Sequence, residues 1–110
     1  MLLKPVRAYS VRTAGMRILL LLLLDYWFHT KDIPGSHVIL LTKGQEPAAA
    51  DIYETAAIAA YYSKGRMSSN VPVDYVKVRY VKKPSGAKPG MVIFTHNSTV
   101  WIDPKDPTDT

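Results

Sequence analysis

The chain has 110 residues, a formal net charge of +5 at pH 7 and no cysteine. This length suffices for one small domain, and the lack of cysteine excludes a disulfide scaffold and a cysteine-ligated zinc site. A basic surplus favours anionic partners such as nucleic acid or a membrane surface.

The positive charge is concentrated in one segment. Positions 64–88 hold seven basic residues and a single acidic one, Asp74, whereas the other positions hold seven basic and eight acidic residues. Such a local excess of lysine and arginine is typical of proteins that bind a polyanion.

Residues 1–24 form an atypical lead-in. Four basic residues precede Ile18 and six leucines, and Asp25 ends this apolar run, which is far shorter than the roughly 20 residues of a membrane-spanning helix. The composition is rich in arginine and poor in acid, as in a transit peptide, but a secretory cleavage site is missing. The alternative is a strand or helix of the domain with poorly specified register, since a uniform leucine run has no period.

The stretch 25–41, DYWFHTKDIPGSHVILL, predicts a β-hairpin. Residues 26–31 alternate in character, and residues 37–41 are rich in leucine and β-branched side chains. Ile-Pro-Gly-Ser at 33–36 is typical of a type II turn, in which the glycine supplies a positive φ.

Alternation along the first strand of this hairpin places Trp27, His29 and Lys31 on one face. We expect Trp27 in the core, because tryptophan is usually well buried. His29 and Lys31 are expected at the surface, where they could stack on a nucleotide or contact a phosphate.

The rest of the chain predicts one helix and three further strands. The predicted elements are a helix at about 47–63, a long strand at 73–82, and a second hairpin with strands at 91–95 and 99–102. On the long strand, Val76, Val78 and Tyr80 form the expected core face. This order predicts an α+β domain with a mostly antiparallel sheet of about five strands and one main helix packed on it, followed by a disordered tail at 105–110.

The sequence contains no convincing catalytic or metal site. His29, His37 and His96 lack the ligand spacing of a zinc motif, and the alternative for the hairpin histidines is a hydrogen bond within the hairpin. Ser36, His37 and Asp32 superficially suggest a triad, but neighbours on a strand point to opposite faces. We therefore expect no enzyme activity, no metal and no cofactor.

The loop at 82–90 is the stronger candidate site, because it combines lysines with glycines and short side chains. Such a loop lets backbone N–H groups approach phosphates, while the alternative is a solvated charged loop. It is not a nucleotide-hydrolase loop, since the GxxxxGK[ST] order is missing. The predicted nucleic-acid contacts are Lys77, Arg79, Lys82, Lys83, Ser85, Gly86, Lys88, His29 and Lys31.

Three stretches resemble one known family: DYWFHTKDIPGSHVILL at 25–41, AAYYS at 59–63 and VPVDYVKVRYVKKPSGAKPG at 71–90. Together they are similar to the NFACT-R domain, the C-terminal RNA-binding module of RqcH, Rqc-type and NEMF proteins, often named fibronectin-binding protein A in bacteria. The resemblance covers about residues 25–104. It implies a non-catalytic, cytoplasmic factor of ribosome-associated quality control that contacts tRNA, ribosomal RNA and the large ribosomal subunit, and no membrane.

The resemblance has limits. The family's N-terminal domain and coiled coil have no counterpart in these 110 residues, so the Asp-Arg pair that the family uses for tRNA handling is not carried over. Residues 1–24 do not match the family's entry into this module, and we expect them to be foreign, from a frameshift, an alternative start or a truncated gene copy. The alternatives for function are an adhesin-type domain that binds fibronectin, following the family name, and an inactive fragment.

Overall fold

The computed structural model describes residues 9–12, 25–42, 45–86, 88 and 91–108. The elements are β1 (Tyr9–Arg12), β2 (Tyr26–Thr30), β3 (His37–Leu40), α1 (Ala49–Tyr61), β4 (Val71–Lys77), a 3₁₀ helix (Val78–Tyr80), β5 (Val81–Lys82), β6 (Ile93–Phe94) and β7 (Ser98–Ile102). The predicted lead-in 1–24 lies outside the described residues, apart from β1.

The strands form two antiparallel sheets. Five of them lie in the order β1-β3-β2-β4-β7, and β5 pairs with β6 in a separate two-stranded ribbon. Helix α1 packs against β2, β3, β4 and β7. The predicted α+β class, with one main helix on a mostly antiparallel sheet, is confirmed.

Alternation along β2 supplies both faces of the sheet with a core. Phe28 lies in the cluster that faces α1, together with Val38, Val73 and the buried alanines of the helix. Trp27 lies in a second cluster on the opposite face, where the 3₁₀ helix and the ribbon cover it. Because Trp27 is 1% exposed, its predicted place in the core is confirmed.

The small side chains of α1 let it lie close on the sheet. Ala56, Ala59 and Ala60 are buried in the α1-facing core. At the start of the helix, Asp51 accepts a hydrogen bond from the Ala48 N–H at 3.1 Å. A carboxylate in the first turn also stabilises the positive end of the helix dipole.

The prediction of one long strand at 73–82 is wrong. Strand β4 ends at Lys77, where the chain turns through the 3₁₀ helix and the Val78 N–H donates to the Asp25 carbonyl at 2.7 Å. Val78 and Val81 then pack with Trp27. In the sequence, the alternation of apolar residues continues through this bend, so the period of two residues does not predict where the strand ends.

The predicted hairpin of strands 91–95 and 99–102 is also wrong. The two strands form, as β6 and β7, but β6 pairs with β5 and β7 pairs with β4. Between them His96 has a φ of 61°. The segment 95–97 therefore carries the chain from the ribbon back to the main sheet instead of closing a hairpin.

The turn of the first hairpin differs from the predicted type II turn. Asp32 is the turn residue with a positive φ, 55°, whereas the φ of Gly35 is not positive. Gly35 instead forms a β-bridge with Ser63, flanked by the hydrogen bonds Ser36 N–H to Tyr62 carbonyl at 3.0 Å and Lys64 N–H to Pro34 carbonyl at 2.9 Å. Glycine is needed here for close approach and not for its backbone angle.

Lys105 of the predicted tail contacts the helix, since its N–H donates to the Ala57 carbonyl at 3.1 Å. The backbone N–H and hydroxyl of Thr108 hold the pKa of Asp106 below its usual value, and the Asp106 carboxylate raises the pKa of the Tyr61 hydroxyl. The division into lead-in, domain and disordered tail stays a prediction.

The close approach at Gly35 yields a test of the fold. A Cβ on Gly35 would lie 2.9 Å from Ser63 Cβ and 3.2 Å from Ser63 Cα, so Gly35→Ala should lower the free energy of unfolding by about 1–3 kcal/mol. Gly65→Ala is the matched control, since its Cβ would meet ordinary contacts at 3.4 Å and stability should stay unchanged or rise slightly. Urea unfolding measures both, and equal effects of the two substitutions would contradict the steric argument.

Candidate nucleic-acid interface

The lysines of the loop after β5 lie at the surface. Lys82, Lys83 and Lys88 are all exposed, and Gly86 has a φ of 74°, which glycine adopts without strain. No acidic residue occurs between Asp74 and Asp103 in the sequence. The ribbon and its loop therefore present positive charge that no acidic residue of the same segment offsets. Residues 87, 89 and 90 of the predicted site lie outside the described part of the chain.

The ribbon turns its basic side outward. Val81 is buried and pairs with Phe94, whose ring centroid lies 4.8 Å from that of Trp27. Lys82 pairs with the exposed Ile93 on the other side of the ribbon. Packing of the apolar side onto the sheet thus fixes the direction in which the lysine points.

The bend after β4 separates the two remaining basic residues of the predicted strand, Arg79 and Lys77. Arg79 is exposed on the 3₁₀ helix, with its guanidinium carbon 5.2 Å from the Tyr80 ring centroid. Lys77 is half-buried at the end of β4, and it shares the parity of Val73 and Tyr75, which belong to the α1-facing side. Arg79 is therefore exposed just before the ribbon in the chain, whereas Lys77 lies on the α1-facing side of the sheet.

The structure separates Lys31 from Lys77. The Lys31 N–H donates to the Pro72 carbonyl, whereas Lys77 is paired with Tyr26, and the five residues between these positions span about 17 Å along a strand. His29 and Lys31 instead line one depression together with Phe94 of the ribbon. Lys77 thus lies apart from both.

Lys31 also has acidic neighbours. Its side chain is 47% exposed, and its Nζ lies 4.0 Å from Asp74 Oδ1, while the next residue, Asp32, is exposed. Asp74 itself is buried and accepts hydrogen bonds from Thr99 Oγ1 at 2.6 Å and Asn97 Nδ2 at 3.1 Å. The positive charge of Lys31 is therefore partly offset.

The hairpin histidines make hydrogen bonds within the hairpin, as the alternative to a metal site predicted. His29 Nδ1 lies 2.7 Å from the Thr30 carbonyl and its Nε2 lies 3.2 Å from the Gly35 carbonyl. Trp27 Nε1 donates to His37 Nδ1 at 2.7 Å. Among the described residues no group of three His, Cys, Asp or Glu could hold a metal ion.

One contact was not anticipated from the sequence. The sequence predicts His96 in the turn of a hairpin and Tyr80 on a core face, yet the His96 ring stacks on Tyr80 with the centroids 4.2 Å apart. The two residues are 16 positions apart, and no spacing signal in the sequence joins them.

Comparison with known proteins finds several RqcH proteins that are similar to this chain, although no family model matches it. The Rqc2 homolog RqcH of Bacillus subtilis strain 168 is 56% identical over 80 residues, which is 73% of this chain and 14% of that protein. RqcH of Streptococcus pneumoniae is 44% identical over the same shares, and RqcH of Streptococcus suis is 40% identical over 82 residues. Over the matched residues, the chain is an RqcH-like domain.

A solved structure is also similar to this chain. The C-terminal part of the fibronectin/fibrinogen-binding protein from Streptococcus suis superposes with a TM-score of 0.74 and is 38% identical, over 79% of this chain and 34% of that one. The resemblance to the NFACT-R domain is thereby confirmed. The chain spans about one seventh of the length of the RqcH proteins that it matches.

In the part of the RqcH-like domain that the structure describes, no helix is both long and apolar enough to span a bilayer.

The buried bond between Trp27 and His37 can be tested directly. His37→Phe should cost about 1–3 kcal/mol of unfolding free energy, because the Trp27 N–H would be left buried without its acceptor. Chemical unfolding of His37→Phe, Trp27→Phe and the double variant gives a double-mutant cycle. In this cycle, each substitution should lower the free energy of unfolding by less when the other is already present. Strictly additive losses would contradict a direct energetic coupling between the two rings.

Proposed function

We propose that this RqcH-like domain is a non-catalytic RNA-binding module that contacts tRNA or the ribosomal RNA of the large subunit. One observation carries the proposal: the exposed cations Arg79, Lys82, Lys83 and Lys88 lie on or beside the ribbon, in a segment without acidic residues. A polyanion is the partner that such an uncompensated basic surface attracts.

The chemistry of this surface suits phosphates better than base edges. Lysine ammonium groups act as point charges toward phosphate oxygens, and the short residues Ser85 and Gly86 leave the loop backbone accessible to them. Phosphate contacts carry no sequence information directly. We therefore expect binding with steep salt dependence and little sequence preference.

Three of the predicted contacts, His29, Lys31 and Lys77, have a smaller part in the proposal. His29 directs both ring nitrogens at carbonyl oxygens of its own hairpin, and Lys31 lies beside buried Asp74. Lys77 stands on the α1-facing side of the sheet. These three residues would add long-range attraction, whereas Arg79, Lys82, Lys83 and Lys88 would touch the RNA.

The family suggests the setting in which this binding would take place. RqcH is named as a homolog of Rqc2, and we propose for this chain the same ribosome-associated quality control, in the cytoplasm, without a metal or cofactor. The domain would help to position RNA against a larger assembly. An isolated domain that fails to bind RNA would support the alternative of an inactive fragment.

A second candidate function is binding of fibronectin. It is favoured by the similarity to the fibronectin/fibrinogen-binding protein of Streptococcus suis. Saturable binding of the chain to immobilised fibronectin that persists in excess tRNA would support this function. Binding that tRNA abolishes would indicate that the basic surface merely adsorbs an acidic protein, and absence of binding would refute the candidate.

The role of the ribbon loop is tested with charge variants. Lys82→Ala, Lys83→Ala and Lys88→Ala together should weaken tRNA binding roughly tenfold or more at low salt and reduce the slope of log K against log salt by about 2–3, because three phosphate contacts are lost. Filter binding over a range of salt concentrations measures both quantities.

The control for this experiment removes the same charge elsewhere. Lys64→Ala, Arg66→Gln and Lys105→Ala together lower the net charge by three outside the ribbon, and the salt slope should then change by less than 1. Equal effects of the two triple variants would show that net charge alone governs binding and would defeat the assignment of the loop.

A further inference from the structure

An aromatic stack stands next to the ribbon lysines. The His96 ring lies on the Tyr80 ring with centroids 4.2 Å apart and planes inclined by 29°. The guanidinium carbon of Arg79 lies over the same tyrosine ring, 5.2 Å from its centroid. The Thr95 N–H donates to the Tyr80 carbonyl at 3.3 Å, so the backbone holds the two segments in this arrangement.

The His96 side chain is exposed and yet held in place. Its backbone has a φ of 61°, a left-handed conformation that is uncommon for residues other than glycine and that costs free energy unless the surroundings impose it. Its Nδ1 lies 2.9 Å from Thr95 Oγ1. The ring therefore presents a flat surface in a defined orientation to solvent.

Flat rings beside cations are what RNA-binding surfaces use for unpaired bases. Histidine, tyrosine and the plane of an arginine guanidinium all stack on nucleobases. Lys82 and Lys83 follow Tyr80 within three positions, and both are exposed. A nucleotide stacked on the His96 ring would thus have cations nearby for its phosphates.

We propose that His96, Tyr80 and Arg79 form a stacking platform for one unpaired nucleobase of the bound RNA. This inference rests on the proposed RNA-binding function and adds to it a preference for single-stranded segments over duplex. Bases within a duplex are already stacked on each other, so they would reach the lysines through their phosphates but not the His96 ring.

The variant that tests the platform is His96→Asn. Asparagine tolerates a left-handed φ, so the backbone should keep its course while the ring is lost. Binding of a short oligouridylate should weaken about 5- to 100-fold, whereas binding of an RNA duplex of equal length should stay unchanged. His96→Phe restores a ring and should recover most of the lost affinity.

Two controls separate stacking from charge and from unfolding. An abasic oligonucleotide with the same number of phosphates should bind the unsubstituted chain and His96→Asn equally well. Trp101→Ala removes another exposed aromatic side chain, 61% accessible on β7, and should leave oligouridylate binding unchanged. Thermal unfolding of each variant confirms that the fold is kept.

The outcomes of these experiments distinguish failure of the stacking platform from failure of the proposed RNA-binding function. Absence of RNA binding by the unsubstituted chain refutes the proposed function. RNA binding that depends on the ribbon lysines but not on His96, or a His96→Asn loss that is equal for oligouridylate, duplex and abasic strand, refutes the platform alone.

Discussion

The burial of Trp27 between two layers is the constraint on which the rest of the domain depends. Its indole N–H donates to His37, its ring stacks on His29 with planes 5° apart, and Phe94 of the ribbon packs against it. A tryptophan buries a large apolar area, and a buried N–H without an acceptor would cost about 1–3 kcal/mol. The Trp27 side chain thus contacts the hairpin, the main sheet and the ribbon, and it holds them together.

This attachment also explains how a segment rich in lysine becomes an ordered surface. The ribbon has only two paired residues on each strand, and so short a pair is not stable alone. Val81 and Phe94 anchor it to the sheet because their partners on the far side, Trp27 and Val76, are already part of a core. Lys82 is therefore held outward, and since Lys82, Lys83 and Lys88 are exposed, their charges need not be desolvated.

Much of the fold was predictable from local patterns, and the two wrong predictions about strands share one cause. The alternation of β2, the helix rich in alanine and the class of the domain were all predictable, because a period of two or of 3.6 residues reflects which face is buried. The bend after Lys77 and the separate pairing of β6 and β7 were not, because Val76, Val78 and Val81 are buried on both sides of the bend. A sequence shows which residues are apolar, but not which of two sheets will cover them.

By itself the sequence indicated an anionic partner and the resemblance to RqcH, since the charge at positions 64–88 and three long motifs are properties of composition and order. It also determined that the hairpin histidines have no metal motif. Only the tertiary structure decided how the cations are distributed: the register of β2 against β4 separates Lys31 from Lys77, and the 3₁₀ helix leaves Arg79 exposed beside the Tyr80 ring. Only it placed His96 on Tyr80, because a contact between rings 16 residues apart depends on where the chain folds back and leaves no trace in spacing.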